Sequence, residues 1–168
     1  MKSYTKGFTL IELLVVIAII ALLSSIVIGA LQSAREKAKY SRVQKEFNSI
    51  HTAVELYALD NNGQYPPDGN AALPTSLDTY LSATGVPTPP WPGTVYDWEN
   101  WTIDGAKVLQ ISVRFCPSGG PLSSCRFPNE SWASGFGVNS SLYYCVSGAC
   151  RPHEFEAVTY PGKCVNCN

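Results

Sequence analysis

Apolar residues crowd one end of this chain. From Leu13 to Leu31, LLVVIAIIALLSSIVIGAL, nineteen residues run without a charge, and between Lys6 and Arg35 the only charged residue is Glu12. A helix of that length spans a bilayer core of ~30 Å. At Arg35 the pattern changes. Tyr40, Val43, Phe47, Ile50, Val54 and Tyr57 recur at alternating spacings of three and four, with Arg42, Lys45, Glu46 and Glu55 elsewhere on the same helix. No proline interrupts Phe8 to Leu59, so the spacing predicts one continuous helix of roughly 78 Å at 1.5 Å per residue. Its first half is apolar all round, as in a membrane or filament core. Its second half carries one stripe that packs on the domain's own sheet. Gly29 is the weak point, at about 1 kcal/mol relative to alanine. Asp60-Asn61-Asn62-Gly63 supplies a stop, and Pro66-Pro67 prevents resumption.

Beyond the helix the alternation shortens. Residues 64–93 hold seven prolines and read as a loop draped over the domain. Thr94 to Ile103 and Lys107 to Phe115 read as strands around Asp104-Gly105-Ala106, where Asp-Gly is a hairpin signal. Leu142 to Val146 and Phe155 to Tyr160 read as a third and fourth strand, joined across Ser147-Gly148. The expected fold class is α+β: a long N-terminal helix on a small antiparallel sheet of three or four strands, with a disulfide-containing C-terminal region. The tail from Pro161 to Asn168 is anchored, if at all, by its cysteines.

Composition sharpens this picture. The formal charge of −1 gives no reason to expect nucleic acid or an anionic membrane surface as a partner. Cys116, Cys125, Cys145, Cys150, Cys164 and Cys167 all lie in the last third. An even number of cysteines in a small, turn-rich domain behind a membrane segment suggests disulfides in an oxidising compartment. The spacing permits Cys145 with Cys150 and Cys116 with Cys125, but leaves the other pairings open.

Glu12 is the informative residue. A secretory signal peptide has an apolar run of ~7–15 residues with no acid inside it, whereas this run is longer and opens on an acid. A carboxylate in a membrane helix costs ~2.5–3.5 kcal/mol on insertion scales and usually marks function. Lys6-Gly7-Phe8-Thr9-Leu10-Ile11-Glu12-Leu13-Leu14 and the run after it resemble the class III leader and N-terminal helix of type IV pilins and type II secretion pseudopilins. The stretch from Tyr57 to Pro66 resembles, more loosely, their post-helix loop.

The resemblance implies cleavage between Gly7 and Phe8 by a membrane prepilin peptidase, followed by N-methylation of Phe8. It also implies that Glu12 meets the N-terminal amine of a neighbouring subunit as helices stack, setting register while the apolar surface gives cohesion. Further implied are a helical homo-oligomer, an assembly platform and cytoplasmic ATPases. The precursor would sit once through the inner membrane and the product in a surface filament. A pseudopilin or minor pilin of a type II secretion or DNA-uptake apparatus is the alternative. The expected organisation is a leader at 1–7, an apolar helix at 8–34, its amphipathic half at 35–59 and a β-rich domain at 60–168. One departure stands out: many pilins carry a helix-breaking proline where this chain has Gly29.

Other signals carry less. Cys164-Val165-Asn166-Cys167 has redox or zinc-like spacing, but a thioredoxin motif wants a βαβ setting, and zinc would find only His153 nearby. A disulfide is the plainer reading. His51 with Glu55 is an (i, i+4) helix pair. Trp91, Trp98, Trp101 and Trp132 read as core or half-buried sheet residues before they read as an adhesive surface. Asn100, Asn129 and Asn139 begin N-glycosylation patterns that short sequences acquire by chance. No basic stripe supports DNA binding and no dense Asp/Asn cluster supports calcium. No nucleophile–base pair emerges, so neither an enzyme nor a cofactor is expected.

Overall fold

The computed structural model describes residues 7–81, 85–103, 105–116, 125–152 and 161–167. The chain divides into two compact units, residues 1–38 and 39–168. Helix α1, Leu10–Asp60, has its first half in one and its second in the other. Every residue from Gly7 to Arg35 is exposed.

From Lys39 onward the stripe anticipated from sequence is buried. Val43, Phe47, Ile50 and Val54 are fully inaccessible, joined by Ala53 and Ala58. Tyr40 and Tyr57, at the ends of the stripe, are half-buried against the same core. α1 ends where expected, through a turn in which Asn62 takes the left-handed conformation (φ 56°) and the Gly63 N–H bonds back to the Ala58 carbonyl at 2.7 Å. The Asn61 side chain caps the Tyr57 carbonyl at 2.8 Å.

Strands β1, Val95–Ile103, and β2, Ala106–Arg114, form the expected hairpin. They pair antiparallel from Ile103↔Ala106 to Val95↔Arg114, with Gly105 at φ 76° in the turn. β3, Ser141–Gly148, adds to β2 antiparallel, with a register shift between Leu109 and Gln110. One detail differs from expectation. The fourth strand among the described residues is β4, Lys163–Cys164, and it pairs with β3 in parallel. Gly148 closes β3. The expected strand at Phe155–Tyr160 lies outside the described residues. The tail is anchored by more than its cysteines: the Val165 N–H reaches the Tyr143 carbonyl at 2.8 Å, and the Asn166 side chain bonds both the N–H and the carbonyl of Cys145, each at 2.8 Å.

The sheet orders β1-β2-β3-β4. The outer edge of β1 is met by the loop ahead of it: the Gly69 N–H bonds the Trp98 carbonyl at 2.7 Å, and the Trp98 N–H bonds the Ala72 carbonyl at 3.2 Å. A Cβ at residue 69 would lie 2.1 Å from that Ala72 carbonyl oxygen, so only glycine permits so close a return. Tyr96, Trp98, Ile111, Val113 and Leu142 present one face of the sheet to the core. Phe47 sits at its centre, with ring centroids 5.8 Å from Tyr96 and 6.0 Å from Tyr144. Trp91, Phe115, Phe127, Trp132 and Phe136 extend the core as an aromatic cluster.

Because Phe47 is wholly buried among aromatic rings, Phe47→Ala is expected to cost about 3–5 kcal/mol. Urea unfolding of the full chain in detergent, followed by tryptophan fluorescence, measures this. A change below about 1 kcal/mol would mean that the helix is not packed on the sheet.

Candidate functional site

Gly7, Phe8 and Thr9 precede α1 in non-helical chain, so the Gly7–Phe8 bond is exposed and outside any helical hydrogen bond. A Cβ at Gly7 would meet nothing within 4 Å. The fold therefore does not require glycine there. Phe8 is 80% exposed.

Glu12 is engaged by its own chain. The Thr9 N–H and hydroxyl both donate to Glu12 Oε2, at 2.8 and 2.7 Å, and the Glu12 N–H reaches Thr9 Oγ1 at 3.3 Å. These are the reciprocal bonds of a capping box, in which a Thr and an acid three residues apart satisfy donors that every helix start leaves open. The carboxylate also lies in the first turn, where the helix dipole favours negative charge. This role was missed in the sequence reading, although Thr9-x-x-Glu12 announces it. Glu12 is thus a local structural acid, held by Thr9 within four residues of Phe8.

All six cysteines are paired: Cys116–Cys125, Cys145–Cys150 and Cys164–Cys167, with Cα separations of 5.2, 5.5 and 5.5 Å. Among the described residues no group of three or more His, Cys, Asp or Glu is placed to hold a metal, and His153 lies outside them. His51 sits half-buried with Nδ1 3.4 Å from the Tyr144 hydroxyl and Nε2 3.5 Å from Glu55. Trp91 and Trp98 are core residues, so the four tryptophans share no common surface. The Asn100 side chain donates to the Pro66 carbonyl.

The far face of the sheet is not legible in the pattern of the chain. Asp97, Glu99, Gln110 and Ser112 alternate with the core residues, as solvent-facing positions do, yet all four are buried. Chain returning after β3 meets Gln110. Gln110 Nε2 donates to the Arg151 carbonyl at 2.7 Å and the Arg151 N–H returns to Gln110 Oε1 at 2.9 Å. Glu99 accepts from Trp101 Nε1 at 3.0 Å, Ser112 Oγ at 2.9 Å and Gln110 Nε2 at 3.2 Å. Asp97 meets Arg114 Nη1 at 3.1 Å. A cleft of about 430 Å³ opens beside this layer, lined by Asp68, Asp97, Glu99, Trp101, Arg114 and Asn139 among others. Burial, reinforced by the Glu99 charge, pushes the Asp97 carboxyl up to about 7 despite Arg114. Burial also raises Glu99, against its three donors.

Comparison with known proteins gives the N-terminus a family match. The prokaryotic N-terminal methylation motif matches residues 2–28. Prepilin peptidase-dependent protein D of Escherichia coli (strain K12) is 46% identical over 83 residues, 48% of this chain and 57% of that protein. The type IV major fimbrial protein FimA of Dichelobacter nodosus is 47% identical over 60 residues, 36% of this chain and 38% of that one. The type II secretion system core protein G of Pectobacterium carotovorum is 35% identical over 108 residues, 56% of this chain and 67% of that protein. The chain belongs to the type IV pilin and type II secretion pseudopilin family. Its long helix, small and mostly antiparallel sheet and C-terminal disulfides are the pilin fold. It spans about half the length of the first two relatives or less. No solved structure matches it.

The buried carboxyl pair of this pilin-family domain has a testable pH signature. Unfolded, Asp97 titrates near 3.8; folded, near 7. The folded state holds the proton more tightly, so this contribution to stability is full below about pH 4 and is lost as pH rises through about 7. Asp97→Asn is expected to gain on wild type across that interval, by on the order of 4 kcal/mol in all. Thermal denaturation of both full-length proteins from pH 4 to pH 8 reads the difference. Parallel curves would show that Asp97 is ionised throughout.

Proposed function

We propose that this chain is a structural subunit of a type IV pilus-like filament, processed between Gly7 and Phe8, N-methylated at Phe8 and assembled through its N-terminal helix. The observation that carries this reading is the unbroken exposure of residues 7–35. Within that stretch an 18-residue window has a mean hydropathy of 3.0 and none of it is buried. Such a surface is stable against lipid or against other apolar helices, and a subunit that exchanges one for the other needs both.

The domain boundaries follow from this division of labour. A leader at 1–7 is removed; 8–34 lies in the membrane and then in the filament core; 35–59 joins it to an extracytoplasmic domain at 60–168. Glu12 fixes register by pairing its carboxylate with the Phe8 α-amine of a neighbour, each charge being costly if buried alone. The capping box already holds that carboxylate on the helix end. A prepilin peptidase, an assembly platform and separate ATPases are the partners this role needs. The precursor resides in the inner membrane and the product outside the cell. The role involves no catalysis. A second reading, a pseudopilin of a type II secretion apparatus, is favoured by the 108-residue match to core protein G, which runs well past the helix.

Mass spectrometry of material sheared from native cells tests the proposal. A chain starting at N-methylated Phe8 is expected in the sheared fraction; the same chain confined to the envelope favours the pseudopilin. A chain still carrying residues 1–7 in the filament would overturn the processing step. Gly7→Ala is expected to fold but remain unprocessed in the membrane, since a methyl group at that position meets nothing within the chain. Glu12→Ala is expected to insert normally and lose at least tenfold in filament yield; wild-type yield would remove Glu12 from the assembly step.

A further inference from the structure

We propose that Cys164–Cys167 is an exchangeable disulfide, a site at which an external dithiol reduces this protein while the rest of the fold stays intact. The three disulfides differ in what surrounds their sulfurs. Cys116 and Cys125 are 6% and 8% exposed, which shields them from an attacking thiolate. Cys150 Sγ faces two carbonyl oxygens, of Leu109 and Ser147, each at 3.5 Å, and Cys145 Sγ faces the Gly148 carbonyl at 3.9 Å. Negative charge developing on either of those sulfurs would be repelled. Cys164 Sγ also has an oxygen nearby, Asn166 Oδ1 at 3.6 Å, but it has a donor closer than that oxygen. The Cys167 N–H points at Cys164 Sγ from 3.0 Å, and a donor at that distance stabilises a thiolate. Cys167, the partner sulfur, belongs to an exposed residue, whereas Cys164 is half-buried in β4.

These positions assign the polarity of exchange. One thiolate of the dithiol attacks Cys167 Sγ, the Cys164–Cys167 bond breaks, and Cys164 Sγ leaves with the electron pair under the Cys167 N–H. After taking a proton, that thiol can donate to Asn166 Oδ1, 3.6 Å away. The second thiol of the reductant then attacks the mixed disulfide and releases Cys167. Two electrons have passed from the dithiol, now a disulfide, to the protein. Exposed disulfides whose leaving sulfur is stabilised exchange fastest. This bond also closes the shortest of the three loops, with a sequence separation of three against five and nine, so the fold loses least chain-entropy stabilisation when it opens. What changes locally is the tether on Asn166, whose side chain grips Cys145 at the β3 edge.

The test is a dithiothreitol titration of the full-length protein in detergent at pH 7, with acid quench, alkylation and peptide mass spectrometry, and amide hydrogen exchange run in parallel. Cys164 and Cys167 are expected to become alkylated at a dithiol concentration at least tenfold below that needed for Cys116 and Cys125, and below that for Cys145 and Cys150. The β1–β2 amides should stay protected while the Cys145 amide exchanges faster. Brief exposure to reduced glutathione should place the mixed adduct on Cys167. Three disulfides that open together, or a Cys164–Cys167 bond that opens only where the sheet loses protection, would overturn the proposal. An adduct mainly on Cys164 would overturn the assigned polarity.

Discussion

An apolar helix surface cannot be left in water, and the rest of this molecule is arranged around that constraint. The side chains of residues 13–31 are exposed in the isolated chain, and at roughly 25 cal/mol per Å² of apolar area their hydration would outweigh the few kcal/mol by which a small domain is stable. Lipid or neighbouring helices must therefore cover them. Glu12 is tolerable at the edge of that surface because it stands in the first turn, where Thr9 and the open N–H groups of the helix start receive it. The same acid placed two turns later would find neither.

Past Arg35 the helix works under a different rule, burying one stripe and exposing the rest. The sheet it packs on divides in the same way, but with an unusual second side. Its apolar face meets Phe47 and Ile50, while its polar face is buried under chain that returns after β3. Burial of Glu99 is tolerable because it gathers three donors, and that of Asp97 because it keeps Arg114 and, below about pH 7, its proton; isolated carboxylates in that position would cost several kcal/mol each. The polar layer ties β1, β2 and the 149–152 segment into one unit. It does so through hydrogen bonds of fixed direction, where an apolar layer would fix no register.

How much of this was legible depends on whether the signal was periodic. The stripe from Tyr40 to Tyr57 and the Asp-Gly hairpin could be read because periods of 3.6 and 2 survive any tertiary context. The far face of the sheet was hidden by the same logic: Asp97, Glu99 and Ser112 alternate with Tyr96, Trp98 and Ile111, which is how a solvent face looks. Only the contact of Gln110 with Arg151, forty-one residues away, reveals the cover. β4 has two residues, too short for any alternation. The capping box is present in Thr9-x-x-Glu12, but an acid opening a long apolar run is the stronger signal and masks the local one. Short spacing permits two of the cysteine pairings without deciding them, whereas the third pair closes a motif with competing redox and metal readings.

The loop that folds back at Gly69 has a consequence beyond its own strand. β1 stands at the border of the sheet, and an uncovered border offers a ladder of donors and acceptors to any similar strand nearby. In dilute solution such encounters are rare. In a polymer that holds identical domains side by side for its whole length, they would be permanent, and two borders once paired would fuse neighbouring fibres into an insoluble mat. By spending the Trp98 N–H and carbonyl on Ala72 and Gly69, the chain closes the middle of that ladder with its own backbone. Crowding can then be dense without becoming adhesive.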